Sequence, residues 1–202
     1  MAKVTLENLN KIFVSKIGKD VKAVNDFNLL LEDGEILALL GSSGCGKTTT
    51  LRMIAGFETA TSGQIKIGER IVNDLKPADR NVAMAFEGYA LYPPLTVKDN
   101  IAFSLMREKI SKDKVDSKVM EVAELLEITD ILERYPPSIS GGQQQRVSLA
   151  RALVRDSDAL LLDEPMSQLE PQLRAVLRAR VKDYIQHNNK TCLLYTSDAA
   201  DE

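Results

Sequence analysis

The stretch GSSGCGKT, Gly41 to Thr48, fits the spacing G-x-x-x-x-G-K-[ST] between an apolar run and the helix-compatible TTTLRMIAG. Its glycines let the backbone curl so that N–H groups point at phosphate oxygens, and a helix N-terminus adds a favourable dipole. Gly41, Ser42, Ser43, Gly44, Cys45, Gly46 and Thr49 then form the phosphate cradle. Lys47 holds the β- and γ-phosphates, and Thr48 is a ligand for Mg²⁺. A second group is LLLDEP, where Asp163 can reach the magnesium shell and Glu164 can polarise an attacking water. Taken alone, such a pair is a solvated strand end. With a phosphate loop upstream it becomes the carboxylate half of a phosphoryl-transfer site.

Elements must bring the two groups together. EILALL (35–40) and DALLLDEP (158–165) are short apolar runs of the buried-strand kind, so a sheet covered on both faces is expected. Val119, Val122, Ala123, Leu125 and Leu126 recur at helical spacing, as do Val147, Ala150, Leu153 and Val154. A third amphipathic helix starts after Pro171 and carries Leu173, Val176, Leu177, Val181, Tyr184 and Ile185. The proline-rich loops LYPPLT (91–96) and RYPPS (134–138) bracket a mostly helical middle, so about 87–155 is expected to be an inserted helical subdomain.

Ser140 to Arg146 reads SGGQQQR. The serine and glycines suit a second helix N-terminus offering N–H and hydroxyl donors to a γ-phosphate, whereas a plain helix cap accounts for Ser140 alone. With this motif the chain resembles the ATP-binding subunits of ABC transporters, from about Val4 to Thr191. The resemblance implies an α/β P-loop NTPase core with an inserted helical subdomain and a small N-terminal antiparallel β region. It implies ATP and Mg²⁺ as cofactors, ATP hydrolysis with Glu164 as base, and two subunits closing over two ATP molecules. Ser140, Gly141, Gly142 and Gln143 then face the ATP of the opposite subunit. Phe13 falls where the family stacks an aromatic ring on adenine; as one aromatic in a strand-like segment it fits the core equally well.

FEGYALYPPLTVKDNIAF (86–103) resembles the FQNYALYPHMTV segment of sugar-importer ATPases, which links the ATP site to the membrane subunit. That subclass implies transmembrane permease subunits and, indirectly, a solute-binding protein as partners. It implies a peripheral place on the cytoplasmic face of the membrane and a carbohydrate or related polar solute as cargo. Composition agrees: 44% hydrophobic and 27% charged residues fit a soluble globular domain, and a net charge of −3 argues against nucleic acid as a partner. No apolar run reaches the ~18 residues of a membrane span, and MAKVTLENLN is no signal segment, so a cytosolic chain is expected. Cys45 and Cys192 suggest neither a disulfide framework nor a metal site.

Two positions depart from the family pattern. Glu87 stands in place of a glutamine whose oxygen touches Mg²⁺; glutamate keeps an oxygen ligand but adds charge and loses N–H donors. Glu170, in MSQLE, replaces an aspartate of the loop that communicates across the dimer and lengthens the arm by one methylene. Two rivals stay open beside the importer. One is a soluble ABC ATPase of DNA repair or translation, and the other is a weakly hydrolysing regulatory half of an asymmetric dimer.

The ending CLLYTSDAADE (192–202) belongs to no recognisable element, although LLY suits a strand position. Aligned to the family's strand ending in threonine, histidine and aspartate, it puts Ser197 where the histidine belongs. His187 sits in the preceding helical pattern and does not replace it. The eleven residues back-translate into a transposase-type sequencing adapter read in frame, so the expectation is a C-terminally truncated domain, 1–191, joined to a non-native tail, 192–202. Such a fragment would be impaired in hydrolysis.

Overall fold

The computed structural model describes residues 2–15, 18–42, 44–86, 88, 90–106 and 110–196. The chain divides into two units, Met1–Met84 with Ser157–Asp163 and Ile185–Glu202, and Ala85–Asp156 with Glu164–Tyr184.

In the first unit, β1 (Val4–Phe13) pairs antiparallel with β2 (Val21–Leu31) on one side and β4 (Ser62–Ile67) on the other, and β5 (Arg70–Ile71) closes the order β2-β1-β4-β5. Alternation along β1 buries Val4 and Leu6, and an irregularity between Leu6 and Leu9, where Asn8 adopts φ 47, shifts the phase so that Leu9 is buried as well. The second sheet runs β3-β8-β7-β6, built from β3 (Ile36–Leu40), β6 (Val82–Ala85), β7 (Ala159–Asp163) and β8 (Cys192–Thr196). β8 is parallel to both neighbours, with Leu193 opposite Leu37 on one side and Leu161 on the other. α1 (Lys47–Ala55) and both sheets share one core, which includes Leu6, Leu31, Leu51, Ile54, Ile65, Leu161 and Leu193.

Two expectations change here. β7 is buried at every position, but β3 is only half-buried and Leu40 is 48% exposed, because β3 is the edge strand of its sheet. Five residues of the tail also form a strand: Cys192, Leu193 and Tyr195 are buried and supply the apolar surface that a position between β3 and β7 demands. Burial pushes the Cys192 thiol up to about 12.

The end of α1 remote from the phosphate loop is held by a residue that sequence patterning did not mark. Arg80, buried, donates to the carbonyls of Met53, Ile54, Asn73 and Leu75, two of them in the last turn of α1. A cation on those terminal carbonyls also opposes the helix dipole.

The second unit holds α2 (Val97–Phe103), α3 (Lys112–Leu125), α4 (Gly141–Leu153) and most of α5 (Pro171–His187). Val97, Ile101, Val119, Val122, Val147, Ala150, Leu153, Leu177 and Val181 are buried there, as helical periodicity requires. Asn100, fully buried, accepts from the Tyr92 N–H and donates to the carbonyls of Tyr92, Leu95 and Thr96, which fixes the proline-rich loop 92–96. Arg151 donates to the Ala90 carbonyl and lies over the Tyr92 ring, 5.0 Å from its centroid.

Candidate functional site

The phosphate loop leaves β3 and enters α1 through Gly46, the N-cap residue, at φ 93. A side chain there would collide with the Ala23 carbonyl, so the left-handed turn and the close approach both require glycine. Among the described residues no side chain caps α1, and of the first amides of the helix Thr50 N–H is taken by the Gly46 carbonyl. An uncapped helix start following a glycine turn is a binding site for phosphate oxygens.

Lys47 is the first residue of α1 and is 7% exposed. Its ammonium donates to the Gly41 and Ser42 carbonyls at 2.6 Å each and to Cys45 Sγ at 3.0 Å, and it sits 4.5 Å from the centroid of the Tyr195 ring. Burial works to lower the Lys47 pKa, but the bond to Cys45 and the neighbouring Tyr195 outweigh it, and the net shift is upward. The ammonium therefore stays charged within the loop.

Thr48 Oγ1 donates to Asp163 Oδ1 at 3.1 Å. The fold brings these two together because α1 packs against β7 within the same unit, and Asp163, 3% exposed, ends that strand. A hydroxyl and a carboxylate with hard oxygens suit Mg²⁺, which prefers such ligands and tolerates few of them from protein. Phe13, at the end of β1, is 41% exposed and so is a surface ring rather than a core residue. Lys11 stands 4.8 Å from its centroid and is pinned there by Glu58 at 2.7 Å and the Thr59 carbonyl at 2.9 Å.

In the second unit, Ser140 is the N-cap of α4. Its Oγ accepts from Gln143 N–H at 3.3 Å, while Gln143 Oε1 accepts from Ser140 N–H at 2.9 Å. This capping box uses Ser140 as acceptor and leaves its O–H as a donor. A Cβ on Gly142 would lie 3.3 Å from Leu169 Cδ2 and 3.4 Å from the Gln168 carbonyl, so tight packing is itself a reason for that glycine.

Glu164 adopts φ 47, a left-handed conformation that costs a non-glycine residue about 1–3 kcal/mol. Its carbonyl accepts from Gln145 Nε2 at 3.0 Å. Gln145, 2% exposed, was not singled out from sequence, where it is one of three consecutive glutamines. Glu170 is exposed beside the start of α5, and its carbonyl accepts from Arg174 N–H. Ser43, Glu87 and Ser197 lie outside the described residues.

The family model described as ABC transporter matches residues 24–167, a span that contains the phosphate loop, the SGGQQQR motif and LLLDEP. The chain belongs to the ABC transporter family. An ABC protein of Ruegeria pomeroyi, the sn-glycerol-3-phosphate import ATP-binding protein UgpC, is 45% identical over 98% of the chain and 55% of its own length. The trehalose/maltose import ATP-binding protein MalK of Thermococcus litoralis is 47% identical over 98% of the chain and 54% of its own. The xylose/arabinose import ATP-binding protein XacK of Haloferax volcanii is 44% identical over 90% and 48%. The chain thus spans about half the length of the curated relatives it matches. Among solved structures, the dimeric ABC transporter cassette MJ0796 superposes with a TM-score of 0.90 at 26% identity, covering 98% of this chain and 89% of that one. Its post-hydrolysis state bound to ADP and Pi gives 0.89. The α/β P-loop fold of ABC ATPases is therefore the fold of this chain.

Proposed function

We propose that this chain binds and hydrolyses ATP as the nucleotide-binding part of an ABC importer for a carbohydrate or similar small polar solute. The observation that carries it is the Thr48–Asp163 bond beside the buried Lys47 ammonium, a cationic and an oxygen-ligand group placed side by side at an uncapped helix start. The names of the relatives above support an importer and the carbohydrate class.

In this proposal the amides from Gly44 to Thr49 and the Lys47 ammonium bind the phosphates, and the open face of Phe13 stacks on adenine. Thr48 and Asp163 hold Mg²⁺, with Glu87 as a further oxygen; when bound, the ion neutralises charge building on the transferred phosphoryl group. Glu164 accepts the proton of the attacking water. Ser140, with Gly141 to Gln143, donates to the γ-phosphate held by a second subunit, and Glu170 belongs to the contact between the two. The chain sits peripherally on the cytoplasmic face of a membrane and passes the resulting motion to transmembrane permease subunits; among its described residues no helix is long and apolar enough to cross that membrane. Binding of MgATP to the chain, lost on Lys47→Ala, tests the site; the transport assignment is tested by co-purification with a permease.

We further propose that residues 192–202 are adapter-derived. β8 then owes its strand position to the fit of CLLYT between β3 and β7, not to a natural sequence.

A further inference from the structure

Gln145 lies in the second turn of α4 and uses both ends of its amide. Nε2 donates to the Glu164 carbonyl at 3.0 Å and to Ser167 Oγ at 3.1 Å, while Oε1 accepts from Gln168 N–H at 2.9 Å. Exchanging the amide's O and N would oppose oxygen to oxygen at Glu164 and N–H to N–H at Gln168, so the three bonds select one orientation. The loop that receives them starts at Glu164, whose left-handed backbone needs support from outside. That loop also packs against the first turn of α4, where Gly142 leaves little room between the helix and Leu169 or the Gln168 carbonyl. On its far side Arg174 donates to the Ser167 and Leu169 carbonyls. Arg174 ties the loop to the helix that follows it, whereas Gln145 ties it to the helix that begins with Ser140.

We propose that Gln145 is a positioning residue that joins the Ser140–Gln143 turn and the Glu164–Gln168 turn into one mechanical piece. The inference rests on the roles given above to Ser140 and Glu164. A shift of the Ser140 turn, on meeting a γ-phosphate held by a second subunit, then reaches the backbone of the water-activating residue through a buried amide. One chain would in this way couple the ATP site it helps to close to the ATP site it serves as base.

The test compares Gln145→Met and Gln145→Glu with the unaltered sequence, each restored beyond Thr191 with the genomic sequence, reading amide hydrogen exchange at Gln168 together with kcat and KM for MgATP. Methionine matches the shape and removes all three bonds. Gln168 exchange should rise about tenfold or more, because its N–H loses its acceptor. kcat should fall by a similar factor while KM stays within about threefold, since no ATP-binding group is touched. Glutamate keeps an acceptor for Gln168 and loses the donors to Glu164 and Ser167, so exchange at Gln168 stays slow while kcat still falls. Unchanged Gln168 exchange in Gln145→Met overturns the clamp. Faster Gln168 exchange in Gln145→Met, with kcat unchanged in both variants, overturns the positioning role. If the unaltered chain binds MgATP without turning it over, the hydrolytic assignment fails, and exchange at Gln168 alone decides the clamp.

Discussion

Thr48 and Asp163 are 115 residues apart in sequence and 3.1 Å apart through a side-chain hydrogen bond. The bond exists because a buried strand ends where an uncapped helix begins, so the hydroxyl of one and the carboxylate of the other share a single spot. Removing the hydroxyl with Thr48→Val should leave nucleotide affinity without magnesium unchanged. It should weaken the gain from adding Mg²⁺ about tenfold, as befits loss of one oxygen ligand. Titration of ATP with and without the metal checks this.

Lys47→Ala removes the ammonium that meets the Gly41 and Ser42 carbonyls and is the only positive side chain of the loop. MgATP affinity should fall by about two orders of magnitude, near the loss of a charge-assisted contact of ~3 kcal/mol. Calorimetry on the unaltered and variant chains measures it, and equal affinities would refute the phosphate site.

Arg80→Met takes a buried guanidinium from four carbonyls, two of which end α1. A loss of about 3 kcal/mol in stability is expected, because a buried cation and its four donated bonds are lost together, with only the Met53 carbonyl, among the described residues, keeping a further backbone donor, the Gly56 N–H. Urea unfolding followed at the first unit reports it.

The Glu58 carboxyl is held below the usual glutamate range, first by its hydrogen bond to Lys11. A depressed folded-state pKa adds stability that is complete above the ordinary value of 4.5 and is lost as pH falls through the lower folded value. The difference in thermal midpoint between the unaltered chain and Glu58→Gln should therefore be present at neutral pH and vanish in acid. A difference that grows on acidification would contradict the pairing.

Much of this was legible because the signals are local. A glycine spacing defines the phosphate loop, an apolar run defines β7, and 3.6-residue periodicity defines α3, α4 and α5. The exposure of β3 was not legible, since an edge position depends on strand order and not on the strand's own residues. Gln145 was missed among like neighbours, although one signal was available: it shares a helical face with Leu149 and Ala152, both buried. Arg80 carried no such pattern, because its partners are carbonyls brought together only by the fold. Phe13 fitted core and surface equally well in sequence, and the structure places it at the surface.

For the tail, DNA sequencing across the Thr191 codon of the source genome is expected to continue with a strand ending in threonine, histidine and aspartate. Native DNA that encodes CLLYTSDAADE instead would refute the adapter origin and make Ser197 a true substitution.

The assignment of Glu164 is the centre of the proposed chemistry, and one assay bears on it directly. Phosphate release from MgATP is compared between the unaltered sequence and Glu164→Gln, each restored beyond Thr191 with the genomic sequence, with MgATP binding recorded alongside. Glutamine keeps the size and the backbone carbonyl held by Gln145 but cannot accept a proton from water, so release should fall about a hundredfold or more with binding retained. Release by Glu164→Gln within about twofold of the unaltered protein would show that another group activates the water.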